Sequence, residues 1–178
     1  MAILPIRRLG DPVLKTPAED VETFDRSLWR LADDMFDTMY NAPGVGLAAP
    51  QIGLSLRFFV YDDGQGSRGA VANPKLTLLD GELVEDEGCL SIPGLYYETA
   101  RAAQARVDGQ DSKGDPIALE GEGLLARIFQ HETDHLGGML FIDRLTAEER
   151  RRAMALLRDQ ELGLAPRRAP RNRPEREP

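Results

Sequence analysis

Gln130-His131-Glu132-Thr133-Asp134-His135 contains the only two histidines of this chain, four positions apart, with a glutamate directly after the first. Residues i and i+4 lie one above the other on a helix face, so a helical reading lets His131 and His135 grip one cation. Glu132 then stands beside that cation, where a carboxylate can take a proton from an activated water; this is the mechanical content of the H-E-x-x-H pattern. The fold must therefore be organised around this helix, because the remaining parts of the site have to be carried to it.

Two ligands are too few, since a catalytic zinc-type site usually takes three protein ligands and keeps one position open. In the longer H-E-x-x-H-x-x-G-x-x-H pattern Gly138 matches the glycine, but the third ligand falls on Phe141, which excludes that class. A downstream glutamate is the other peptidase solution. Its candidates, Glu148, Glu149 and Glu161, lie in a segment that reads as a charged surface helix. The remaining candidate is Cys89, the single cysteine, in Glu87-Gly88-Cys89-Leu90-Ser91. An isolated cysteine is most often a small buried hydrophobe. Here an acidic approach precedes it and Ile92-Pro93-Gly94 reads as a turn, so it is expected where a strand ends and the chain bends. A thiolate with two imidazoles is a sensible donor set for a borderline-soft divalent ion.

A third element is Gly44-Val45-Gly46-Leu47-Ala48-Ala49-Pro50-Gln51-Ile52-Gly53, which reads as a tight small-residue loop. It lacks the lysine and hydroxyl of a phosphate loop. It offers backbone that a ligand can approach closely, and in Gln51 an amide with two donors of the kind an oxyanion needs.

Taken together, and in this order, the three segments resemble the peptide deformylases: the glycine-rich run through Gln51, then Glu87 to Ser91, then Gln130 to His135. The resemblance implies removal of the N-formyl group from the initiator methionine of nascent chains, with release of formate. It implies Cys89, His131 and His135 as metal ligands and Glu132 as catalytic acid and base. It also implies Gln51 and the Leu90 backbone N–H as oxyanion donors, and Arg101 with Glu87 as an ion pair near the site. A peptide-binding groove with Gly46 pairing to the substrate as an added strand is implied too, with Val45, Leu124 and Ile128 as candidates for the methionine pocket. Those three read equally well as ordinary core. Some members carry a basic residue after Ser91-Ile92-Pro93; this chain has Gly94-Leu95-Tyr96-Tyr97-Glu98. One divalent ion is expected. Donor softness admits Fe²⁺, Zn²⁺, Ni²⁺ or Co²⁺, and the resemblance points to Fe²⁺ as native. A metallopeptidase or amidase of other specificity is the competing enzyme, and a structural metal domain the competing non-enzyme.

Around these motifs the chain reads as α+β, with antiparallel sheets packed about a central metal-binding helix and a helix near each terminus. Apolar residues at Phe24, Leu28, Leu31, Met35 and Met39 predict a helix over 23–41. A second is expected from Gly123 to Leu136, ended by Gly137-Gly138. The third begins at the capping-box pattern Thr146-Ala147-Glu148-Glu149 and runs to about Leu162. Strand-like runs fall at 56–61, 70–72, 76–85 and 102–107, with turn signals at 62–64, 80–81, 108–109 and 113–115. Strands clustered without alternating helices favour antiparallel pairing over a doubly wound sheet.

A length of 178 residues suits one domain with a substantial core, here 1–165. Residues 166–178 carry five arginines against two glutamates within a chain of net charge −8. Proline and arginine without apolar residues will not pack, so this tail is expected to be disordered in isolation, either as a solvated end or as an arm touching ribosomal RNA. No apolar run is long enough to span a bilayer, and Met-Ala-Ile-Leu-Pro-Ile-Arg-Arg lacks the basic segment followed by an apolar one that a secretory leader is expected to show. With a lone cysteine, this leads to an expectation of a cytoplasmic protein.

Overall fold

The structure is a computed structural model and describes residues 2–165. The expected tail, 166–178, lies outside them. The expected central helix runs Gly123–Leu136. Its stop is physical: Gly138 adopts φ +73°, and a Cβ there would come within 2.8 Å of the Lys15 main chain. A residue with a side chain would meet both a disfavoured backbone and a collision. The same corner is tied down where Ala18 N–H donates to Leu136 O at 2.9 Å.

The first helix, α1, spans Arg26–Asn41, with the Asp25 side chain accepting from Ser27 N–H as its cap. It starts three residues later than the periodicity suggests, because the capping aspartate satisfies the free N–H groups at that point. Next come β1 (Gly46–Ala48), β2 (Phe58–Asp62), β3 (Arg68–Leu78), β4 (Glu82–Cys89), β5 (Ile92–Ala102), β6 (Gln104–Gln110) and β7 (Pro116–Glu122). The central helix, α2, follows, then α3 (Ala147–Glu161), whose Thr146 and Glu149 form the expected capping box.

Five strands pair in the order β1-β2-β3-β6-β7, and β4 pairs with β5 in a separate sheet; every one of these pairings is antiparallel. Side chains alternate across a strand, and β2 uses both faces. Phe58 and Val60 pack with Leu28, Met35 and Met39 of α1, while Phe59 and Tyr61 pack with Ile128, Phe129 and Leu136 of α2. Burying side chains of this size contributes about 1.5–3 kcal/mol each before entropy is subtracted. A third cluster joins Leu14, Ile92, Leu95 and Phe141 to Ala153 and Leu157 of α3. Its helix is thus charged outside and apolar beneath.

Several local expectations need correction. The stretch 44–53 is not a loop: it contains β1 and a 3-10 turn, Ala49–Ile52. The run 76–85 is broken at Asp80-Gly81, where Gly81 has φ +83°, so its halves belong to different sheets. Asp108-Gly109 does not turn; it continues β6, opposite Ala118 and Ile117 of β7. The bend after Cys89 falls at Leu90-Ser91, and Ile92-Pro93-Gly94 already belongs to β5. A register shift between Gly88 and Cys89 absorbs the extra residues and Gly94, at φ +82°. Such a bulge bends the strand and re-aims the side chain beside it, here Cys89.

Candidate metal centre

His131, Glu132 and His135 come from α2, Cys89 from the end of β4, and Gln51 from the turn after β1. Cys89 Sγ lies 3.3 Å from His135 Nε2, and His135 Nε2 lies 3.2 Å from His131 Nε2. The three donor atoms all fall within 4.8 Å of one another. Bonds of ~2.1 Å to nitrogen and ~2.3 Å to sulfur in a tetrahedron would place such donors about 3.3–3.6 Å apart, so the set fits one divalent ion. The electrostatics agree. Burial opposes charge on His131, but Cys89 and Glu87 outweigh it and raise its pKa well above the usual imidazole value. Burial and the neighbouring His131 push His135 well below that value. The surroundings of His131 thus favour one positive charge, and a divalent ion would compete with a proton for that position.

The orientation of each donor has a cause. His131 Nδ1 lies 2.7 Å from Glu87 Oε1, which turns Nε2 toward the other donors. Metal-ligating imidazoles commonly use this arrangement, in which a carboxylate fixes the tautomer. Glu87 is buried and would ordinarily resist ionising. Burial does push its pKa up, but hydrogen bonds from Arg101 and His131 overcome this and leave the carboxyl well below the usual range. Arg101 grips both of its oxygens, at 2.9 and 2.6 Å, and Arg127 adds a bond at 2.7 Å. Arg101 also reaches Asp134 of α2 at 2.7 Å, and Arg144 binds the same carboxylate. The expected Arg101–Glu87 pair is therefore the middle of a longer network. Arg127, Asp134 and Arg144 went unassigned in the sequence, although Asp134 lies inside the opening stretch.

Glu132 is buried, and burial pushes its carboxyl up to about 7. Among the described residues its Oε2 has no hydrogen-bond partner. Its other oxygen lies against Gly46: a Cβ at that glycine would stand 2.3 Å from Oε1. A carboxyl near neutrality with an unpaired oxygen can both accept and return a proton. Gln51 Oε1 accepts from Ala48 N–H at 2.8 Å, which turns Nε2 toward Cys89 Sγ at 3.5 Å and Ser91 Oγ at 3.3 Å. These long contacts leave the amide donors aimed at the centre.

The donors open onto a cavity of about 420 Å³ whose walls include Val45, Gly46, Leu124, Ile128 and the Leu90 turn. Val45, Leu124 and Ile128 also pack into the core cluster beneath, so they serve as wall and core at once. Tyr96 and Arg8 line it as well.

An α+β scaffold with cysteine and imidazole donors that could hold one ion, beside a buried glutamate and an amide donor around one cavity, is the make-up of a mononuclear metallohydrolase. The polypeptide deformylase family profile matches residues 3–151, and the chain belongs to that family. The peptide deformylase of Acidothermus cellulolyticus is 56% identical over 161 residues, covering 90% of this chain and 89% of that protein. Peptide deformylase 1 of Corynebacterium glutamicum is 49% identical over 162 residues, covering 89% and 96%. Among solved structures, the peptide deformylase of Thermus thermophilus superimposes with a TM-score of 0.85 at 48% identity, covering 91% of this chain and 97% of that one.

Proposed function

We propose that this chain is a metal-dependent hydrolase that removes the N-formyl group from the initiator methionine of nascent polypeptides and releases formate. The observation that carries the reading is the convergence of Cys89 Sγ, His131 Nε2 and His135 Nε2 beside the unpaired carboxylate oxygen of Glu132. A divalent ion on those donors supplies Lewis acidity that makes water an adequate nucleophile at neutral pH. Glu132 Oε2 takes the proton of the attacking water and returns it to the leaving amine nitrogen. Gln51 Nε2 and the Leu90 N–H donate to the formyl oxygen as charge develops on it, a contribution of about 2.7–4 kcal/mol for one such donor. Val45, Leu124 and Ile128 receive the methionine side chain. Gly46 lies on β1, an outer strand of its sheet, and such an edge accepts an extended peptide by main-chain pairing.

Glu132→Gln tests the assignment. Metal content should match the wild type while formate release from a formyl-methionyl peptide falls by at least two orders of magnitude, roughly the range for a general acid–base group. Retained turnover would refute the role. Cleavage of internal peptide bonds in preference to the formyl group would move the chain to the peptidases.

The proposed native ion is Fe²⁺, which the donor softness permits and the family resemblance favours. Metal analysis of anaerobically purified protein, paired with rates for each reconstituted ion, decides it against Zn²⁺, Ni²⁺ and Co²⁺. Residues 1–165 are proposed as the catalytic domain. Its site of action is proposed to be the cytoplasm, where a thiolate ligand stays reduced; no helix among the described residues is long and apolar enough to cross a membrane. The C-terminal helix and the basic segment 166–178 are proposed to contact the ribosome. Truncation after Leu164 should weaken ribosome co-sedimentation at low salt, and unchanged binding would remove that part.

A further inference from the structure

The N-terminal segment is held on both sides of residue 8: Arg7 N–H donates to Gln51 O at 2.7 Å, and Leu9 N–H donates to Ser91 O at 3.0 Å. The exposed Arg8 side chain lies between these anchors and donates from Nη1 to Leu90 O at 2.9 Å. Arg8 borders the metal-site cavity and also a second cleft, of about 210 Å³, bounded by Ser91, Ile92 and the end of α3. Pro93 borders both as well, so the two hollows adjoin at Arg8 and Pro93. The other guanidinium on the cavity wall, Arg127, is committed to Glu87. Arg8 forms no ion pair among the described residues.

We propose that Arg8 is a substrate-binding residue for the peptide downstream of the methionine, and that it makes the enzyme favour acidic over basic side chains there. This rests on the deformylase reading. A peptide seated by its methionine must leave the cavity through a mouth, and the second cleft continues the hollow past Arg8. A guanidinium carries five N–H donors in a planar fork, and the bond to Leu90 O uses one of them. The rest meet a passing carbonyl or carboxylate, and a passing ammonium is repelled. Glu161 stands in the second cleft, so the preference is confined to positions near Arg8 and weakens farther along.

The test uses metal-loaded enzyme and formyl-methionyl tetrapeptides with aspartate or lysine at the third residue, with formylmethionine amide as the short reference. Wild type should process the aspartate peptide with a kcat/KM roughly two- to fivefold above the lysine peptide, the range expected of a solvent-exposed charged contact. Arg8→Ala should bring that ratio close to one, with the change carried by KM, and Arg8→Lys should keep most of it. Calorimetric binding of the matching unformylated product peptides should show the same ordering. An unchanged ratio in Arg8→Ala overturns the proposal. So does an equal drop in kcat on all three substrates, which would confine Arg8 to holding the Leu90 turn. Absence of wild-type turnover on the short reference would instead strike at the deformylase reading itself, and the proposal would fall with it.

Discussion

Gly46→Ala isolates the placement of Glu132 from its chemistry. The glycine has an ordinary backbone conformation, so alanine costs nothing there through φ. What it meets is Glu132: the new Cβ would stand 2.3 Å from Oε1, 2.8 Å from Cδ and 3.0 Å from Cγ. Ordinary contact begins near 3.4 Å, so the carboxylate must retreat by about 1 Å if β1 stays in its ladder with β2. A misplacement of that size costs on the order of a hundredfold in rate. The alternative, in which the strand yields, would cost about 1–3 kcal/mol of stability as overpacking. The flexible end of a side chain moves more easily than a paired strand, so the loss should appear in kcat, with metal content and thermal midpoint close to wild type. Steady-state deformylation, metal analysis and a melting curve on the same preparation separate the two. Gly44→Ala is the comparison, since its Cβ would meet the end of the Leu90 side chain at 2.8 Å, away from the carboxylate. Wild-type kcat in Gly46→Ala would refute the argument, because a tolerated 1 Å displacement would mean that Glu132 does not need its observed position.

Gln51→Leu should lower kcat about a hundredfold or more while the metal stays bound, checked by turnover and metal analysis together. Glu87→Gln should destabilise the fold by about 3–5 kcal/mol in denaturant titrations, because Arg101 and Arg127 keep buried charges with a poorer acceptor. It should also weaken metal binding by roughly 10–100-fold through the loosened His131 ring. The same residue sets an acid limit. Its folded pKa is depressed, so its stabilising contribution is complete above its unfolded value of 4.5 and is lost progressively as pH falls toward the lower folded value. Wild-type stability should therefore decline between about pH 5 and pH 3, and Glu87→Gln should show a shallower decline.

The central helix was legible to its last residue because three local signals agree: apolar residues at helical spacing, the histidine pair on one face, and the Gly137-Gly138 pair that ends it. Cys89 became a candidate because two imidazoles call for a third ligand, and the family resemblance then named it; the structure brings its Sγ within 4.8 Å of both histidine donors. The short strand β1 was illegible because glycine and alanine carry no strand signature, and its extended form comes from pairing with β2. In β7 the alternation is blurred by glycine and glutamate, and in β5 Pro93-Gly94 imitates a turn that a bulge absorbs instead. The polar network failed for a different reason. Asp134 meets Arg101 across 33 positions and Arg127 meets Glu87 across 40, and no local pattern says which of the many charged residues will meet.

The register shift at Cys89 and the carboxylate of Glu87 also bear on timing. His131 and His135 are near neighbours on one helix, but the thiolate lies 46 positions from His135 and the orienting carboxylate 44 from His131. Contacts so distant in sequence carry a loop-closure cost that neighbouring helix positions do not. A chain whose β4–β5 hairpin had not yet docked on α2 would offer an ion two imidazoles alone, and the three-donor set requires that docking. An ion held by all three donors would therefore stabilise the docked hairpin along with itself, coupling metal affinity to the completeness of the fold.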